Sequence, residues 1–128
     1  GSVRMPVRVT GPADTPLDAH WLLLPPTPEA PEGTGVVELA GTSGIETLGS
    51  PPRLRPLAAH TLGFGQAIAA ALDHGVSRLV LGVGSSCSTD GGVGLLSALG
   101  ARFLDSAGAP VPCSWLRGLS RTVPNHVR

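Results

Sequence analysis

The first ten residues alternate between apolar and polar side chains. Four apolar residues are each separated by one position, namely Val3, Met5, Val7 and Val9. A period of two is typical of a β-strand with one buried face, so the pattern predicts a strand over residues 3–10. Pro6 lacks an amide hydrogen for a central sheet position and therefore predicts that this strand lies at an edge.

Three further segments predict strands, each bounded by turn-forming residues: 19–24, 35–40 and 77–83. The last contains the continuous apolar run LVLGV, which is typical of a strand covered on both faces. Prolines over 25–33 and small polar residues over 41–56 indicate connecting loops. Residues 101–104 predict one more strand.

Two segments predict helices. Alanine-rich residues from 64 or 65 to 74 carry an apolar face and are followed by Gly75, a typical helix stop, and residues 93–99 are closed by Gly100. The interval 84–100 is long enough for a crossover, so residues 78–104 predict a β-loop-α-β unit with a parallel strand pair. The expected fold is one α/β domain over residues 1–128, with a mixed sheet that begins as an antiparallel strand pair.

The composition narrows the classes of partner. The 128 residues carry nine basic and nine acidic side chains, all nine basic ones arginine, and this zero net charge argues against nucleic acid and membrane surfaces as partners. Neither Cys87 nor Cys113 has the spacing of a zinc site or a disulfide framework. These features favour a reducing cytoplasm and no metal site built by this chain.

Residues 82–92, GVGSSCSTDGG, hold the densest candidate chemistry. A loop between a buried strand and a helix offers free amides, and its hydroxyls suit phosphate or carboxylate oxygens. Asp90 could deprotonate or orient a substrate hydroxyl or help to hold Mg²⁺, yet it is equally suited to cap the following helix. A third possibility is a nucleophilic Cys87 with a lowered pKa, although no histidine is close in sequence. Neither standard nucleotide-binding glycine motif occurs.

A family resemblance rests on a long collinear stretch. GVGSSCSTDGGVGLLSALGARFLDSAGAPV is similar to the central glycine-rich segment of the bacterial glycerate 2-kinases of the type I glycerate kinase family. PLAAHTLGFGQAIAAALDHG, VVELAGTSGIETL and VTGPADTPLDAHWLLLP resemble the segments before it, so the similarity spans residues 7–112. The resemblance implies an internal part of a two-domain kinase that phosphorylates glycerate with ATP and Mg²⁺ at a site between its domains.

The resemblance also implies site residues. It makes Asp90 the candidate catalytic residue, and the candidate substrate- or phosphate-binding residues are Gly84, Ser86, Ser88, Thr89, Gly91, Gly92, Glu38 and Ser43. Each has a structural alternative. Glu38 could simply face solvent, Ser43 could belong to a turn, and Thr61 could cap the helix that follows it.

Five positions depart from the family pattern. Ser85 stands where a glycine is usual, Cys87 where an alanine is usual and Ser88 where a threonine is usual. Gln66 stands where a glutamate is usual and His60 where a threonine is usual. Because half a site leaves the reactants unaligned, we expect the isolated chain to be inactive and to hold neither ATP nor Mg²⁺ tightly. The alternative is a degenerate, non-catalytic module that binds a small molecule or forms a homodimer through apolar surface.

Overall fold

The computed structural model describes residues 1–54 and 58–111, and Cys113 lies outside these ranges. The chain forms four strands: β1 (Val3–Thr10), β2 (Pro16–Leu24), β3 (Thr34–Glu38) and β4 (Arg78–Gly82). Two α-helices, α1 (Ala40–Ser43) and α2 (Leu62–His74), lie between β3 and β4, with a 3₁₀ helix at Ile45–Leu48 between them, and α3 (Val93–Ala98) follows β4. None of the helices in the described ranges has the length and hydrophobicity to cross a lipid bilayer.

The strands form one mixed sheet in the order β1-β2-β3-β4. Strand β1 pairs with β2 in antiparallel register from Val3 opposite Leu23 to Thr10 opposite Pro16, β2 pairs antiparallel with β3, and β3 pairs parallel with β4. The mixed α/β class and the antiparallel N-terminal pair are confirmed. Strand β1 lies at the edge of the sheet, as Pro6 predicted.

Helix α2 covers one face of the sheet and forms the core with it. Its buried residues Phe64, Ala67, Ile68 and Ala71 belong to the same cluster as strand residues such as Val37. The remaining strand contributions are Val9 and Trp21. Removing these side chains from water is the main favourable term that holds the helix on the sheet. The helix ends as predicted at Gly75, whose φ of 101° is left-handed and accessible to glycine without strain.

Three sequence predictions differ from the structure. The parallel partner of β4 is β3, reached through α1, the 3₁₀ helix and α2. Within the described ranges, residues 101–104 do not join this sheet, and Leu104 forms an isolated bridge with Pro110. The predicted loop over 41–56 contains α1 and the 3₁₀ helix, and its last two residues lie outside the described ranges.

The third difference is that β4 is not covered on both faces. Val80 and Leu81 are each 43% exposed and Val83 is 69% exposed, because β4 is the other edge strand of the described sheet. This exposed apolar surface is the kind that self-association would cover. The predicted homodimer stays a prediction.

Candidate functional site

The candidate site lies where the parallel strands β3 and β4 end. The Leu39 amide donates to the Gly82 carbonyl at 2.8 Å, and the Ile45 amide donates to the Ser85 carbonyl at 2.9 Å. These bonds hold the segment after β3 against the glycine-rich loop, residues 84–92, which follows β4. The carboxyl ends of parallel strands are where open α/β sheets bind ligands.

The structure brings both predicted residues of the first segment to this edge, in different environments. Glu38 is exposed and lies opposite Gly82 in the register of the parallel pair. Ser43 is completely buried, and its Oγ accepts a hydrogen bond from the Phe64 amide at 3.3 Å. The Ser43 hydroxyl therefore fixes the first turn of α2, and its predicted binding role stays a prediction.

Asp90 is 7% exposed and its carboxylate accepts hydrogen bonds from two helix N-termini. Its Oδ2 accepts from the Thr61 amide and the Thr61 hydroxyl, both at 2.8 Å, and from the Gly94 amide at 3.1 Å. Its Oδ1 accepts from the Gly92 amide at 3.0 Å. The chain's own donors thus contact both carboxylate oxygens, which favours a structural role. The catalytic role predicted for Asp90 stays a prediction.

The start of the glycine-rich loop and one of its last residues are open to solvent. Gly84, Ser85, Ser86 and Gly91 are exposed, and their amides donate no hydrogen bond to any residue in the described ranges. Unpaired amides on an exposed turn are available to an anionic ligand. Gly91 and the following glycine of the loop have φ values of 63° and 81°, a backbone that glycine adopts easily.

Two hydroxyls of the loop lie beside these amides. The Ser86 and Ser88 Oγ atoms are 3.2 Å apart, and the Ser88 amide donates to Ser86 Oγ at 3.3 Å. Ser86 and Thr89 are exposed, whereas Ser88 is half-buried. The predicted residues of the loop therefore form one surface with Glu38 nearby, while Asp90 lies beneath it.

Ser85 adopts a backbone conformation that suits the glycine it replaces. Its φ is 60°, in the left-handed region, which costs a residue with a Cβ about 1–2 kcal/mol. The Ser85 carbonyl nevertheless keeps its hydrogen bond to the segment after β3. The departure from the family pattern is therefore compatible with this loop shape, at a cost in local strain.

Cys87 does not have the lowered pKa of a nucleophilic cysteine. Burial raises the pKa of the Cys87 thiol, and a backbone hydrogen bond opposes that effect only partly. The thiol donates to the Ser43 carbonyl at 3.3 Å. A raised pKa favours the protonated thiol, which is a weak nucleophile, so this direction argues against the nucleophile interpretation.

Gln66 and His60, two further departures, make contacts that fasten the N-terminal strands to α2. Gln66 Oε1 accepts from the Thr10 amide at 2.6 Å, and its Nε2 donates to the Thr10 hydroxyl at 3.4 Å. His60 Nε2 lies 2.6 Å from Asp14 Oδ1, in the turn between β1 and β2. Neither side chain bonds to the glycine-rich loop, so both departures are explained by packing.

Thr61 has a role that sequence reasoning missed. The sequence predicts that the Thr61 hydroxyl caps α2, but this hydroxyl forms no cap hydrogen bond. It donates instead to Asp90 and accepts from the Leu95 amide at 2.9 Å. Thr61 and Asp90 are separated by 29 positions. No sequence signal pairs them, beyond the fact that both precede helices.

The described residues fit phosphate or carboxylate oxygens better than a metal ion. No group of three or more His, Cys, Asp or Glu side chains in the described ranges is arranged to hold a metal. Asp90, the candidate Mg²⁺ ligand, already accepts four hydrogen bonds from the chain. Free amides and hydroxyls are donors, and oxyanions are their natural ligands.

Several known proteins with similar sequences bear the name glycerate kinase or glycerate 2-kinase. The chain is 39% identical over 103 residues to a glycerate kinase of Bacillus subtilis, covering 80% of this chain and 25% of that protein. It is 34% identical over 100 residues to a glycerate 2-kinase of Escherichia coli, covering 78% of this chain and 25% of that protein. The chain thus spans about a quarter of the length of these curated relatives.

The fold agrees with that similarity. A crystal structure from Salmonella typhimurium LT2 that bears the name glycerate kinase 2 matches with a TM-score of 0.73 and 33% identity, over 86% of this chain and 28% of that one. The model of the glycerate kinase family matches residues 1–124. The chain therefore belongs to the glycerate kinase family.

Proposed function

We propose that this chain is the part of a glycerate kinase that contacts glycerate or the transferred phosphoryl group. The observation that supports the proposal is the exposed turn at the carboxyl edge of two parallel strands, where the amides of Gly84, Ser85 and Ser86 have no hydrogen-bond acceptor among the residues that the structure describes. The reaction is the ATP-dependent phosphorylation of a glycerate hydroxyl. In this proposal the partners of the chain are small anions, namely glycerate and ATP, which bind at the complete kinase site.

The chemistry of the loop suits this role. Glycerate has one carboxylate and the transferred group has three peripheral oxygens, so both present acceptors to the loop amides and hydroxyls. In phosphoryl transfer, most of the catalysis comes from positioning and from stabilisation of developing charge. In our proposal Ser86, Ser88 and Thr89 orient the anion, while Gly84, Gly91 and Gly92 let the backbone approach it.

Two further elements of the proposal involve groups beyond this chain. ATP supplies the phosphoryl group, and Mg²⁺ screens its charge when both are bound. Glu38 is exposed and lies opposite Gly82, just before the loop. In our proposal its carboxylate interacts with a bound cation or a substrate hydroxyl. We place the protein in the cytoplasm, because its two cysteines lack the spacing of a disulfide framework.

A chimera tests the proposed function. The segment of the Bacillus subtilis relative that aligns with this chain is replaced by this chain, and glycerate-dependent ADP release is measured. We expect activity, and we expect Ser86→Ala in the chimera to lower kcat/KM about tenfold through loss of one hydrogen bond to an anion. Ser106→Ala, an exposed serine outside the loop, is the matched control and should change nothing.

The second candidate function is a non-catalytic, self-associating module. The exposed Val80, Leu81 and Val83 on the β4 edge favour it. A chimera that folds but releases no ADP in response to glycerate would overturn the kinase proposal and support this one.

A further inference from the structure

The carboxylate of Asp90 is the point at which three parts of the chain meet. Its four hydrogen bonds come from Thr61 at the start of α2, from Gly92 at the end of the glycine-rich loop and from Gly94 in α3. A buried carboxylate needs several donors to compensate for its loss of hydration. Here all of those donors belong to the chain itself.

Thr61 completes the junction from the side of α2. Its hydroxyl donates to Asp90 Oδ2 and at the same time accepts from the Leu95 amide of α3. Thr61 is itself buried, with 6% of its surface exposed, so both partners of its hydroxyl lie largely out of contact with bulk solvent. The hydroxyl therefore links Asp90 to α3 by donating one hydrogen bond and accepting another. A side chain without a hydroxyl cannot form both bonds.

The opposite end of the glycine-rich loop is anchored by different bonds. The Ile45 amide donates to the Ser85 carbonyl, and the Cys87 thiol donates to the Ser43 carbonyl. Ser88 and Thr89 thus lie between two fixed points, and Gly84, Ser85 and Ser86 lie at the first of them. The first point is the contact with Ser43 and Ile45 after β3, and the second is the junction of Thr61 with Asp90. The loop's own residues supply few bonds that would hold its shape.

We propose that Thr61 and Asp90 are positioning residues that fix the glycine-rich loop in the shape that presents its amides. Asp90 then acts through the loop backbone and not as the base that removes the substrate proton. The importance of this positioning for catalysis rests on the proposed function, whereas the rigidity of the loop can be measured without any ligand.

The test compares backbone order parameters of the loop amides, measured by ¹⁵N relaxation on the 128-residue chain. A rigid backbone has an order parameter of about 0.85 and a flexible one falls below about 0.6. We expect rigid loop amides in the parent chain and flexible ones in Thr61→Val and in Asp90→Asn. Asparagine replaces one acceptor oxygen of Asp90 by an NH₂ group, which cannot accept hydrogen bonds from the amides that now donate to that oxygen.

Three further variants separate positioning from general stability. Thr61→Ser keeps the hydroxyl and should restore rigid loop amides. Ile68→Val removes a methyl group from the core and should leave the loop amides rigid, since Ile68 belongs to the buried core cluster and not to the junction. The Thr61→Val, Asp90→Asn double variant should be no more mobile than Asp90→Asn, because both changes break the same junction.

The outcomes decide between the possibilities. Loop amides that stay rigid in a folded Thr61→Val chain would overturn the inference, as would equal loosening in Ile68→Val. If Asp90→Asn does not fold, Thr61→Val and Thr61→Ser still decide it. In the active chimera, a base role for Asp90 predicts that Asp90→Asn abolishes kcat while Thr61→Val keeps it, and this result also contradicts the inference. A chimera without activity contradicts the proposed function and leaves the relaxation result valid.

Discussion

Gly65→Ala is expected to lower the free energy of unfolding by about 2–3 kcal/mol, which is the cost of overpacking a tight contact. A Cβ at Gly65 would lie 2.5 Å from the Leu95 carbonyl oxygen and 2.6 Å from the Ala98 Cβ, so α2 and α3 would have to separate. Alanine favours an isolated helix by about 1 kcal/mol over glycine, and this gain offsets only part of the loss.

The same reasoning applies from the other helix. A Cβ at Gly94 would lie 2.5 Å from the Leu62 nitrogen and 2.8 Å from the Thr61 nitrogen, so Gly94→Ala should destabilise the chain in the same way. Because this crossing places Thr61 beside Asp90, both substitutions should also loosen the junction described above.

Urea unfolding followed by circular dichroism measures the effect. Gly41→Ala is the matched control, since Gly41 lies in α1 and a Cβ there would meet no atom within 4 Å. We expect Gly41→Ala to be as stable as the parent chain or slightly more stable. Equal unfolding midpoints for Gly65→Ala and Gly41→Ala would show that the helices do not cross this closely.

The second large effect concerns activity. The 128-residue chain by itself should release no ADP in a glycerate-dependent manner. It spans about a quarter of the length of the curated relatives, and correct alignment of the reactants accounts for about 7–11 kcal/mol of a typical barrier. A chain that contacts one side of the reactants loses most of that contribution.

A coupled assay of ADP release checks this expectation, with the full-length Bacillus subtilis relative as the positive control. The background is the same mixture without glycerate, because slow ATP hydrolysis would otherwise be counted as transfer. Glycerate-dependent turnover by the isolated chain at the rate of the full-length relative would show that the site is complete within these residues.

The strands and the longer helix could be predicted because their signals are local. The alternation over Val3–Thr10 marks β1 to the residue, and the left-handed Gly75 ends α2. The short elements could not be predicted in the same way. Helix α1 is built from Ala40, two small polar residues and a glycine, and a four-residue helix has too little propensity of its own to be recognised.

Errors arose where the answer depends on distant neighbours. An apolar run predicts a strand but does not identify the strand that pairs with it. The sequence therefore predicts residues 101–104 as the parallel partner of β4, whereas its partner in the structure is β3. The same apolar run predicts a strand that is covered on both faces, but the described residues do not cover both faces of β4. At the candidate site, the sequence predicts a glycine-rich loop with hydroxyls between a strand and a helix, and the structure has this loop. The bonds of Asp90 to Thr61 appear only when the two helix N-termini are placed together.

The central claim is that the exposed turn of the glycine-rich loop binds a small anion through its free amides. The most direct measurement is a titration of the ¹⁵N-labelled chain with sodium glycerate and, separately, with inorganic phosphate, at constant ionic strength. The claim predicts saturable shifts at the amides of Gly84, Ser85 and Ser86, with no shift at Gly41, which is an exposed glycine in α1. Unchanged loop resonances with both anions, or equal shifts at Gly41, would contradict it.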